Sequence, residues 1–125
     1  MTDNKPDPQV TNAIKDRAMV YLALYRELSK RYGKSEAVDV MRSAIYEHGK
    51  VFGETLACHA PCDFSGLVDA FAKAPDDGAT FSPAIKRVDE NGLEIQMMTC
   101  PLKTAWLEAG CSDDEVRALL YCASA

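Results

Sequence analysis

From residue 10 onward, apolar side chains recur at steps of three and four. Ile14, Ala18, Tyr21, Tyr25, Leu28 and Tyr32 fall on one helical face, while Lys15, Asp16, Arg26, Glu27 and Lys30 fall mostly elsewhere. This predicts a first helix over 10–32, stopped by Gly33. Ser35 offers an N-cap, and Glu36 just inside it suits the helix dipole. A second helix should run to about residue 56, with the stripe Val38, Met41, Ile45, His48, Phe52 and Leu56. Gly49 and Gly53, four apart, share another face of it. The run "ACHAPCD" breaks the pattern at Pro61, after which Phe64, Leu67, Val68 and Phe71 suggest a short third helix. "KAPDDGATFSP" reads as a loop from its Pro, Asp and Gly content.

The period then changes. "AIKRV" and "LEIQMM" flank "DENG", and Asn91-Gly92 is a favoured turn pair because both residues tolerate positive φ. A β-hairpin is expected, with Ile85 and Val88 on its first strand and Leu93, Ile95 and Met97 on its second, ending at Thr99 or Cys100. Two helices follow. Leu102, Ala105, Trp106 and Ala109 share a face that Gly110 ends. Ser112 and Glu115 have the spacing of a capping box ahead of Val116, Leu119, Leu120 and Ala123. The order helix, helix, helix, hairpin, helix, helix gives a mainly helical α+β fold with a small antiparallel hairpin between helices 3 and 4.

Residues 1–9, with Pro6 and Pro8, are expected to form a flexible arm before a single domain over 10–125. A two-stranded hairpin is marginal alone. The chain also ends at "LLYCASA", within a helix-like run. A homo-oligomer, or a further C-terminal segment missing from an incomplete domain, are the two expected ways to complete the sheet.

Composition narrows the function. The balance of 14 Lys and Arg against 19 Asp and Glu, a net charge of −5, argues against a nucleic-acid face, which needs clustered cations. No apolar run reaches the ~18 residues that span a bilayer, so no membrane partner is expected. The polar start "MTDNKPDPQV" is not a secretory signal, and the cytoplasm is the expected location. Five cysteines, an odd count, argue for thiols rather than a disulfide framework.

Cys100 stands out among them. It closes a strand and directly precedes Pro101, a residue suited to the first turn of a helix. Backbone N–H groups and the positive end of the dipole favour a thiolate at such a position, and Lys103 adds charge on the first turn. On spacing alone, a nucleophile and a half-buried capping cysteine are equally good readings. His48 lies on an otherwise apolar face; a rim histidine satisfied by one hydrogen bond is the better reading, and a base that activates a thiol or water is the functional one. Cys58, His59 and Cys62 in "CHAPC" offer three soft ligands without a second pair of normal spacing. Incidental loop thiols are favoured there, with zinc as a weak alternative. Asp76 and Asp77 fit a turn, and Asp113 and Asp114 a helix start. Arg87 and Lys103, with Trp106 beside them in the site, are the candidates to bind a small substrate and its carboxylate.

The segment "CPLKTAWLEAGCSDDEVRALLYCASA" carries a resemblance. Its Cys100-Pro101-Leu102-Lys103, Ala105-Trp106, Glu108-Ala109-Gly110 and acidic next helix are similar to the L-2-amino-thiazoline-4-carboxylic acid hydrolase family, as are "YEHGKVFGE" and the hairpin. The likeness runs from about residue 15 onward. It implies an α+β fold and hydrolytic opening of a cyclic, amidine-like ring, giving N-carbamoyl-cysteine from the thiazoline, without a cofactor. It also implies dependence on a cysteine, and the matching position is Cys100. The family continues past the end of this chain, which is the ground for expecting an incomplete domain. Two other classes stay open: a non-catalytic small-molecule binding or regulatory domain of the same fold, and a Cys/His metal module.

Overall fold

The computed structural model describes residues 5–125. The first four residues of the expected arm lie outside the described ones. Among the described residues, α1 (Pro8–Tyr32), α2 (Lys34–Glu54), α3 (Phe64–Leu67), β1 (Pro83–Asp89), β2 (Gly92–Met97), α4 (Pro101–Glu108) and α5 (Asp113–Ala123) follow in order. The fold is α+β and mostly helical, with one two-stranded antiparallel sheet between α3 and α4. No helix among the described residues is long and apolar enough to cross a membrane. α1 begins at Pro8 rather than Val10. Asp7 caps it by accepting the Gln9 N–H at 2.9 Å, and proline costs nothing at the first helical position. The chain divides into two compact units, residues up to Ala13 with Gly53–Pro101, and Ile14–Phe52 with Leu102–Ala125.

The second unit is helical. Its core is Ala18, Leu22 and Tyr25 from α1, Ala37 and Met41 from α2, Leu102, Ala105 and Trp106 from α4, and Val116, Leu119 and Cys122 from α5. The α1 stripe is turned slightly from the expected one. Leu22 is buried, Tyr21 is only half-buried and Tyr32 is 63% exposed. Side-chain type does not decide this, since Tyr25 of the same helix is buried; position on the packed face does. The α2 stripe fades along the helix, from buried Met41 through half-buried Ile45 to exposed His48 and Phe52. Gly33, at φ +89, makes the joint between α1 and α2 in a conformation that costs L side chains strain.

The first unit is built from short pieces. A single 3₁₀ turn, Ala57–His59, leads to α3, and a π-helical turn, Val68–Ala72, continues it. Asp63 caps α3 by accepting the Gly66 N–H at 3.0 Å. A side chain at Gly66 would collide with that same carboxylate and with His59. The hairpin follows, and it departs from strict alternation. Ile85 pairs with Ile95, but Arg87 pairs with Glu94, leaving Lys86 as an extra residue in a β-bulge. The bulge explains how Ile85 and Val88, three apart, share one face with Leu93, Ile95 and Met97. Without it, alternation would place them on opposite faces. The turn also differs from the expected Asn91-Gly92 type. Its central residues are Glu90 and Asn91, since Asp89 pairs with Gly92. The positive φ angles among the described residues lie elsewhere, and Asp89 Oδ1 accepts the Asn91 N–H at 2.7 Å. The aspartate side chain closes the turn instead.

Candidate active site around Cys100

In the first unit, the backbone leading to Cys100 is held by the loop that reads as featureless in sequence. Asp76 is its centre. Its carboxylate accepts the Thr80 N–H at 2.9 Å, the Thr80 hydroxyl, and the Asp7 N–H at 3.2 Å. Partial burial pushes the Asp76 carboxyl up, but these donors outweigh burial and hold it below the ordinary carboxylate value of 3.8. Thr80, thus fixed, is 4% exposed. Its carbonyl accepts the Thr99 hydroxyl at 2.6 Å. Phe81 and Ser82 carbonyls accept the N–H groups of Thr99 and Met98 at 3.1 and 3.2 Å. The next residue is Cys100, half-buried, and then Pro101 opens α4. The strand stops at Met97 rather than at Thr99 or Cys100, because Met98 and Thr99 bond to the loop carbonyls of Ser82 and Phe81 and not to β1; the cysteine, proline and helix then follow as expected. Beside this grip lies a hollow of about 380 Å³ lined by residues that include Lys73, Gly78, Ser82, Ile85 and Met98.

The other expected site residues fall in different places. Arg87 belongs to the first unit, on the hairpin, where its guanidinium reaches Asp89 at 3.4 Å and lies over Gly92. His48, Lys103 and Trp106 belong to the helical unit. His48 is exposed at the rim of an apolar hollow of about 240 Å³, with Tyr21, Leu24, Met41, Ala44 and Ile45. Lys103 is exposed on the first turn of α4. Trp106, expected to meet substrate, is 0% exposed, and its indole N–H donates to the Ala18 carbonyl at 2.8 Å. It is a core side chain with its one polar group already bonded. The residues of the zinc alternative lie in the first unit. His59 Nδ1 lies 2.8 Å from the Asp63 carboxylate, and among the described residues no three His, Cys, Asp or Glu side chains are grouped to hold a metal.

A family model described as L-2-amino-thiazoline-4-carboxylic acid hydrolase matches residues 11–125. The chain belongs to that family. No curated protein and no solved structure matches it.

Two clusters in this family member escape a reading by sequence. The Asp76 network needs residues 7, 76, 80 and 99 together, and nothing in their separate spacings predicts it. The only local signal is an aspartate four residues before a threonine in a turn. The second cluster lies in the helical unit. Ser112 does cap α5, accepting the Glu115 N–H at 3.2 Å, but the Glu115 carboxylate does not complete the box. It takes Arg26 instead, in a two-point pair at 2.9 and 3.0 Å. The Arg26 hydrogen bond holds the Glu115 carboxyl below its ordinary value, against a smaller opposing effect of burial. Burial, and then the nearby Glu115 carboxylate, push the Cys111 thiol up, so that cysteine is a poor nucleophile candidate. Cys122 is fully buried, and burial pushes its thiol up as well.

Proposed function

We propose that this chain is a cysteine-dependent hydrolase that opens a small cyclic amidine-like ring, with 2-amino-thiazoline-4-carboxylate or a related C–N/C–S ring as substrate and no cofactor. The family match over 11–125 is the observation that carries this reading. The position of a half-buried thiol at the hairpin-to-α4 junction supports it.

In this reading Cys100 is the nucleophile. Its thiolate adds to the ring carbon between nitrogen and sulfur. The ring C–S bond then breaks, and the departing sulfur takes a proton to become the product thiol. Water adds to the same carbon, now held as an enzyme thioester-like isothiourea. Loss of a proton and expulsion of the Cys100 thiolate yield the N-carbamoyl product. The sum is one water consumed per ring opened, with no redox change. Lys103 and Arg87 are assigned to the substrate carboxylate, and His48 is the candidate base. Trp106 is assigned to the core instead of the substrate. Free thiols persist most readily in a reducing compartment, and the cytoplasm goes with this reading.

The test is Cys100→Ser, assayed for N-carbamoyl-cysteine release from the thiazoline acid, with thermal unfolding measured alongside. Turnover should be lost and the unfolding curve retained. A Cys100→Ser protein that turns over like wild type overturns the proposal.

A further inference from the structure

We propose that Asp76 is a positioning residue for Cys100, acting through Thr80 and Thr99. The inference rests on the reading of Cys100 as the nucleophile, but its geometry lies wholly within the first unit. The loop between the π-helical turn and β1 is not one the chain would adopt unaided. Asp77 and Ser82 both hold positive φ, at 54° and 46°, a region unfavourable to residues other than glycine. Such a loop persists only where other bonds over-determine it. The Asp76 carboxylate supplies three of them. It accepts from two donors of Thr80 and from the N–H of Asp7. Thr80 in turn presents its carbonyl to Thr99 at 2.6 Å, one residue before Cys100.

The chemistry of this relay favours a carboxylate. Three donors converge on two oxygens, and an ionised aspartate has acceptor sites for all of them. An asparagine of the same shape would replace one oxygen by an NH₂ group and aim a donor at a donor. Thr99 is the mildest point at which to cut the relay, because it is exposed and joins Thr80 through its hydroxyl. Loosening the arm should uncover the half-buried Cys100 thiol. Cys58 and Cys62, exposed thiols in the same unit, serve as internal standards.

The experiment uses the full chain and iodoacetamide, with the alkylation rate of each cysteine read by peptide mass spectrometry. In Thr99→Val and Asp76→Asn the rate of Cys100 relative to Cys58 and Cys62 should rise by about threefold or more, the scale of one lost hydrogen bond. Thr99→Ser keeps the hydroxyl and should restore the wild-type ratio. The proposal is overturned by an unchanged ratio in Thr99→Val or in Asp76→Asn, by a Thr99→Ser ratio as altered as that of Thr99→Val, or by all three cysteines accelerating together. The readout needs no turnover. An active Cys100→Ser protein would therefore end the catalytic reading without deciding this test, and an unchanged ratio would end the positioning proposal whatever the hydrolysis assay gives.

Discussion

Replacing Trp106 by Phe tests the core of the helical unit with a number. The indole is wholly enclosed, and its N–H donates to the Ala18 carbonyl at 2.8 Å. Ala18 lies inside α1, so its carbonyl keeps its helical partner when the indole is removed. No acceptor is orphaned, and the lost bond should cost only about 1 kcal/mol net. The smaller ring leaves a void; at about 24 cal/mol per Å³, a void of ~40 Å³ adds about 1 kcal/mol. The expected destabilisation is the sum, about 2 kcal/mol. With a urea dependence of about 2 kcal/mol per molar, the unfolding midpoint should fall by about 1 M. Far-UV circular dichroism is the appropriate probe, because Trp106 is the sole tryptophan and the variant has no indole fluorescence to follow. Trp106→Ala should cost more, about 3–5 kcal/mol. A Trp106→Phe midpoint within 0.2 M of wild type would refute the placement of this side chain at the centre of the core.

The remaining predictions concern α5. Arg26→Lys removes the two-point geometry to Glu115 and should lower the melting temperature at neutral pH. The Glu115 carboxyl is held below its usual value of 4.5, so its contribution is full above that value and is lost as pH falls through the depressed one. The gap between wild type and Arg26→Lys should therefore close below about pH 4; an equal gap at pH 7 and pH 3 would contradict the pairing. Ser112→Ala removes the cap of α5 and should cost about 1 kcal/mol in denaturant unfolding. A neutral result would mean that the Glu115 N–H finds water just as well.

Local pattern explains what was legible. The four longer helices follow from apolar steps of three and four, and Gly33, Gly110 and Ser112 mark their limits. The position of Cys100 was readable because proline and helix follow it directly and a strand ends shortly before it. Features set by distant partners were not readable. Leu22 and Tyr21 compete for the core side of α1, and only packing decides between them. Glu115 has the spacing to complete a capping box, yet Arg26, 89 residues earlier, offers a stronger partner. Asp76 is an ordinary turn aspartate until residues 7 and 80 are brought around it and Thr99 is joined to Thr80. The resemblance to the hydrolase family pointed to Cys100 because its motif surrounds that residue. It said nothing of what holds the thiol in place.

The bulge at Lys86 has a further consequence for length variation. On one side of it, the paired positions are Pro83 with Met97, Ala84 with Gln96 and Ile85 with Ile95; on the other, Arg87 with Glu94, Val88 with Leu93 and Asp89 with Gly92. Excising Lys86 alone would join these two sets into one continuous ladder with every pair kept. A one-residue deletion is ordinarily ruinous to a strand, since it turns all later side chains over. Here it would leave the apolar face apolar and take away only the local bend. Relatives one residue shorter at this point would thus present the same sheet, and an alignment that placed the gap anywhere else in the strand would misassign its inner and outer faces.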